Sequence, residues 1–197
     1  MKKAVLVLIL AAVSFLQTAS ASIIGNSIIN RSSVDSASYI NFIDTSLVFA
    51  TDGIIESWDI YAGRASSEFA LQVYRNQSGN TYELIGSNYF SSAGGLGALN
   101  FSIAAPNQIS VQAGDVIGWW YGGGQGVIDF SFGGGNGSWQ YDSDTTPLAI
   151  GETITINSSN RVYSVAANYK AVPEPSALAL IGLGIIGLGF SRRKMKK

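Results

Sequence analysis

The side chains able to do acid–base or stacking chemistry concentrate between positions 115 and 144. There Asp115, Asp129, Asp142 and Asp144 are interleaved with Trp119, Trp120, Tyr121, Trp139 and Tyr141. The chain contains no histidine and no cysteine, which excludes Ser-His-Asp and Cys-His nucleophile systems and the usual zinc sites. Carboxylates are then the acid–base groups available. A glycan-active hydrolase would need two of them facing each other across a sugar, one with its pKa raised by burial. Nothing in the spacing of these four demands such a pair, and solvated turn carboxylates are the plainer reading. Asp142-Ser143-Asp144 could offer oxygen ligands to calcium but lacks the full loop pattern, so no metal and no cofactor is expected.

The aromatics are the candidate glycan-binding residues: Trp119, Trp120, Tyr121, Trp139 and Tyr141. Consecutive strand residues point to opposite faces, so Trp119 and Trp120 cannot share one core. At least one is expected to be exposed or loop-covered unless the strand is bulged or buried on both faces. A flat ring beside glycine loops suits stacking on a sugar; the alternative is that these rings fill the end of the core. Thirteen of the 23 glycines lie between positions 94 and 137. No P-loop lysine follows them, so they read as hairpin loops and not as a phosphate cradle.

The elements that must carry these residues are strands. Phe69-Leu71-Val73 alternates with Ala70-Gln72-Tyr74, Leu99-Phe101-Ile103 with Asn100-Ser102, Ile128-Phe130-Phe132 with Val127-Asp129-Ser131, and Tyr163-Val165-Ala167-Tyr169 with Ser164-Ala166-Asn168. Period two predicts one buried and one wet face per strand. Further strands are expected at 54–61, 81–89, 111–121 and 153–156, and no stretch of the body has a helical period. Residues 22–171 therefore read as a single all-β domain, an antiparallel β-sandwich of jelly-roll type. The passage 111–118 is similar to a strand–turn–strand found in many extracellular sandwich domains, which bears on fold and not on activity.

The ends are built differently. Residues 1–21 have the layout of a signal peptide: Lys2 and Lys3, an apolar run over 4–13, and the small residues Ala19 and Ala21 at a cleavage site. That implies the Sec export machinery and signal peptidase as partners, with Ser22 as the mature N-terminus. At the other end Pro173-Glu174-Pro175 precedes an uncharged stretch, 176–190, and then Arg192, Arg193 and Lys194. Fifteen helical residues would reach about 22 Å against a hydrocarbon core of about 30 Å, a marginal membrane helix. Five of the last six residues are cationic, a basic stop that keeps this end in the cytoplasm and the body outside. Between the two ends five cations face twelve carboxylates, a net charge of −7, which makes nucleic acid a poor partner.

The three-part segment 172–197 resembles the PEP-CTERM sorting signal of Gram-negative bacteria. The resemblance implies processing at Pro173-Glu174-Pro175 by an exosortase, a membrane-embedded, transpeptidase-like enzyme, and transient anchoring through 176–190. It further implies delivery to the cell surface or extracellular matrix, where such systems accompany exopolysaccharide and biofilm production. A non-catalytic, matrix-associated protein is the function expected. A hydrolase using a carboxylate pair is the alternative.

Overall fold

The computed structural model describes residues 21–134, 137–141 and 147–172. The expected signal peptide before Ala21, Asp142, Asp144, the Pro173-Glu174-Pro175 motif, the 176–190 segment and the expected basic stop lie outside these. The chain divides into two units, 20–171 and a second formed by 1–19 with 172–197; the first is the strand-built body.

Among the described residues there are fifteen strands: β1 (Ala21–Gly25), β2 (Ser33–Val34), β3 (Ile40–Val48), β4 (Gly53–Ala62), β5 (Phe69–Ser78), β6 (Thr81–Phe90), β7 (Gly97–Ser102), β8 (Ser110–Val111), β9 (Val116–Tyr121), β10 (Asp129–Phe132), β11 (Gly137–Tyr141), β12 (Thr153–Thr155), β13 (Asn157–Ser158), β14 (Arg161–Tyr163) and β15 (Val165–Ala171). Among the described residues the helical element is a single 3-10 turn at Ala105–Asn107, and no helix is long and apolar enough to cross a membrane. A seven-stranded sheet runs β12-β6-β5-β9-β3-β11-β13. A five-stranded sheet runs β1-β15-β4-β7 with β8 beside β4, and a three-stranded sheet runs β14-β10-β2. Every strand pair is antiparallel. The all-β antiparallel sandwich expected from the alternation is the fold observed.

The main core fills the space between the two larger sheets. β4 and β15 supply Ile55, Trp58, Ile60, Val165, Ala167 and Tyr169; β3, β5 and β9 answer with Phe42, Leu71, Val73, Ile117 and Trp119. The Trp58 indole N–H donates across the core to Asn88 Oδ1 at 2.8 Å, which satisfies a donor that would otherwise be stranded. The hairpin β5–β6 turns on two residues, with Ser78 opposite Thr81. Gly79 takes φ +53 there, the conformation a tight hairpin asks of its first turn residue and that glycine adopts without steric cost.

The outer side of the seven-stranded sheet is also covered. Ile43, Tyr74, Tyr82, Leu84, Val116, Ile154 and Ile156 form a second apolar layer, with Leu148 against it. Strands β5 and β9 therefore lose the wet face that period two implies, and all six residues of β9 are buried. Two expectations are corrected. β3 and β1 do not stand among the strands read from the sequence, and Phe132, expected on the buried face of its strand, is 69% exposed. Its ring instead packs edge-on against Phe130 at 5.0 Å and beneath the Arg161 guanidinium at 5.5 Å.

Candidate functional site

The aromatic cluster does not form an exposed platform. Trp119, Trp120 and Tyr121 are each at most 1% exposed. Trp119 and Tyr121 point into the main core, where Phe42 stacks on Trp119 at 5.5 Å and 12° and Tyr163 leans on it at 4.6 Å. Trp120 points to the other face, in register with Asn41 on β3 and Ala70 on β5. The expectation that one of the two tryptophans is open to a sugar fails because β9 runs through the middle of a sheet covered on both sides. None of these three residues presents a ring face to a ligand. The backbone of Trp139 and Tyr141 lies on β11, paired with Phe42 and Ile40; their side chains lie outside the described residues.

The triple glycine at positions 122–124 follows β9 for steric reasons. A side chain at Gly122 would collide with Glu68, and one at Gly124 with Ser67. The Ser67 hydroxyl and the Gly124 carbonyl are hydrogen-bonded. These glycines let side chains close on the backbone; they do not open a loop for an anion.

Of the four candidate carboxylates, the two described are not brought together as a facing pair. Asp115 is 1% exposed and takes the Arg75 guanidinium on both oxygens, at 2.7 and 2.9 Å, while Oδ2 also accepts the Gln112 amide at 2.8 Å. The hydrogen bond to Asp115 also raises the Arg75 pKa. This is a clamp on the β8–β9 turn, in the bidentate geometry that fixes a turn rather than moves a proton. Asp129 is different. It is 3% exposed, with Oδ2 accepting the Arg31 amide at 3.3 Å and Oδ1 without a hydrogen-bond partner. Burial pushes its pKa up, partly offset by the Arg31 amide and charge. Asp129 is the carboxylate in the wall of a cleft of about 320 Å³ that it shares with Arg31, Tyr61 and Leu96.

The larger concavity was not legible as a site. A groove of about 800 Å³ runs between β6 and the segment from Ser102 to Ser110, with Asn88, Tyr89, Asn107 and Gln108 in its walls. No lining residue is charged. β12 pairs with β6 only from Thr81 to Glu83, so beyond Leu84 the outer edge of β6 opens onto the groove. Tyr89 is half exposed, and its hydroxyl donates to the Glu68 carboxylate, which raises its pKa. An exposed ring among amides and hydroxyls is the chemistry by which neutral polar ligands are held. Its sequence signal is faint: Tyr89 lies on the outward face of β6 with only Ala70 opposite it.

The structure thus shows an all-β body whose last strand, β15, ends at Ala171, directly before a segment of different composition. Residues 171–194 match the PEP-CTERM protein-sorting motif. The chain carries that motif, and with it the features of an exported protein sorted by an exosortase and held briefly at a membrane on its way to the surface. No curated protein and no solved structure matches the chain.

Proposed function

We propose that this chain is an exosortase-sorted surface or matrix protein whose body binds without turning over a substrate and associates with exopolysaccharide. The observation that carries the reading is a sorting motif that begins in sequence where the last strand of a disulfide-free β-sandwich ends. Signal peptidase and the Sec machinery would act at Ala19 and Ala21. The glycan part rests on the uncharged groove with Tyr89 at its side, since hydroxyl-rich neutral chains need amide and hydroxyl partners and a ring more than they need charge.

Retention of the purified body on the producer's own polysaccharide tests it. Tyr89→Ala should weaken retention about tenfold, the equivalent of roughly 1.4 kcal/mol. Phe132→Ala, at an even more exposed ring elsewhere, should leave it unchanged. Wild-type protein that is not retained at all would remove the glycan reading. For sorting, mass spectrometry of the mature C-terminus in cells with and without the processing enzyme decides; an intact Lys197 in both would end that reading.

Asp129 favours the hydrolase alternative in one respect, its buried carboxyl with a raised pKa beside a cleft. New reducing ends from incubated polysaccharide, abolished by Asp129→Asn, would replace the binding role with a catalytic one.

A further inference from the structure

The two ends of the body leave it side by side. β1 runs antiparallel to β15 with Ala21 opposite Lys170 and Gly25 opposite Ala166. The residue at the signal-cleavage site and the residue three positions before Pro173 are thus strand neighbours. Ala171 is held as well: it pairs with Gly53, and Gly53 pairs on its other side with Val111. Two residues earlier the Tyr169 ring meets Phe49 edge-on at 5.1 Å and lies over Gly53, where an added Cβ would sit 2.6 Å from it. The strand is locked to within two residues of the sorting motif.

That lock restricts where the motif can be met. An extended chain spans at most about 3.6 Å per residue, so Glu174 lies within about 11 Å of Ala171. Little free chain therefore separates Pro173-Glu174-Pro175 from the fixed end of β15.

The rim there is formed by the β3–β4 and β8–β9 turns, cross-linked by Phe49 N–H to Asp115 O at 2.8 Å and Gly114 N–H to Phe49 O at 2.9 Å. Its exposed residues are small or uncharged: Val48, Ala50, Thr51, Gln112, Ala113 and Gly114. The nearby carboxylates are already engaged. Asp52 accepts the Ala113 amide at 2.9 Å, Asp115 is buried against Arg75, and Glu83, opposite Arg75 on β6, accepts the Gln77 side-chain amide at 2.7 Å. In a body of net charge −7, this end carries little of the acid, since Arg75 and Lys170 stand beside these three carboxylates. An acidic face would be repelled by an anionic membrane surface within the Debye length of about 8 Å; this one would not.

We propose that the rim of the β3–β4 and β8–β9 turns is the membrane-proximal face of the exported body and the surface that meets the membrane-embedded processing enzyme. This rests on the sorting reading above. The opposite end, where the 63–68 and 122–126 segments lie, points away from the membrane.

The test uses the full chain in producing cells, with the rate of appearance of the mature C-terminus followed by mass spectrometry. Thr51→Glu with Gln112→Glu places two acids on the rim and should slow processing about tenfold, on the scale of membrane-surface charge effects. Ser91→Glu with Ser92→Glu, after β6 at the far end, should not. Inserting six Gly/Ser residues between Val172 and Pro173 adds up to about 20 Å and should restore the rim variant to the wild-type rate. Wild-type processing of the rim variant, or failure of the insertion to rescue it, overturns the proposal. A wild-type chain that is never processed would instead sink the sorting reading on which it rests.

Discussion

Asp129 sits in the body with one carboxylate oxygen on the Arg31 amide and the other without a partner. A side chain at Gly63 would collide with that free oxygen, so a glycine gives the carboxyl its room. Burial favours the neutral acid, so the folded chain holds this proton more tightly than the unfolded one, and the pKa lies above 3.8. The sign follows from linkage. The stability contributed by the neutral acid is fully present below the unfolded pKa and is lost as pH rises through the raised folded value. Asp129→Asn, which is neutral throughout, should therefore melt above the wild type at neutral pH, with the gap closing as the buffer is taken below pH 3.8. Melting curves across that range check it, and a gap independent of pH would mean that the charge is not what costs stability. Tyr121 and Tyr163 stay protonated at all working pH values, since burial raises both, helped at Tyr163 by the Asp35 charge and hydrogen bond. The tyrosines therefore add nothing to this pH dependence.

At the scale of the element, β9 explains both what the sequence revealed and what it hid. The alternation at Phe69-Leu71-Val73 and Leu99-Phe101-Ile103 put the correct side chains toward the core, because one face of each run meets the opposite sheet. Val116-Ile117-Gly118-Trp119-Trp120-Tyr121 does not alternate. It is a short continuous apolar run, the pattern of a strand buried on both faces, the one arrangement in which neither Trp119 nor Trp120 is left open. β3 was hidden for another reason: Asp44-Thr45-Ser46 breaks its apolar pattern where the register slips between Asp44 and Val48. Asp44 Oδ1 there accepts the Ser46 amide at 3.0 Å and hydroxyl at 2.6 Å, turning polar residues into a local cap inside the strand. The groove beside β6 was hidden because it depends on where β12 stops pairing, which no local pattern encodes. Gly118 is where β3 and β5 close on β9, since an added Cβ would come 2.5 Å from the Phe42 carbonyl and 2.6 Å from the Tyr74 ring. Gly118→Ala should cost about 1–3 kcal/mol by overpacking, read as a lower urea midpoint at unchanged slope. Gly95→Ala, with only Leu99 at 3.7 Å, should stay within about 0.5 kcal/mol. Equal shifts for the two would show that glycine entropy, not the closeness of β3 and β5, governs the site.

For the whole molecule the pairing of β1 with β15 is the least local contact and the one that no sequence pattern could announce. Alternation says which face of a strand is buried, not which strand lies beside it. Joining residues 21–25 to 166–170 closes nearly the whole strand-built body, whereas β5 and β6 are joined through a two-residue turn. Loop-closure entropy must be met before a distant pairing returns any energy, so sheets of this kind form their hairpins first and fold in milliseconds to seconds. Export imposes the same order, because β15 is the last strand to emerge and β1 waits for it at the edge of the five-stranded sheet. In a chain from Ser22 to Val172 refolded from denaturant, pulse-labelled hydrogen exchange should find the amides of Leu71 and Val73 protected before those of Ile23 and Ile24. The body would then pass through a state in which the sandwich is assembled while the strand next to its processed C-terminus is still unpaired, and the two ends come together only on completion. Simultaneous protection of both regions, or protection of Ile23 first, would mean that the terminal strands nucleate the fold and that closure of the chain is its first step.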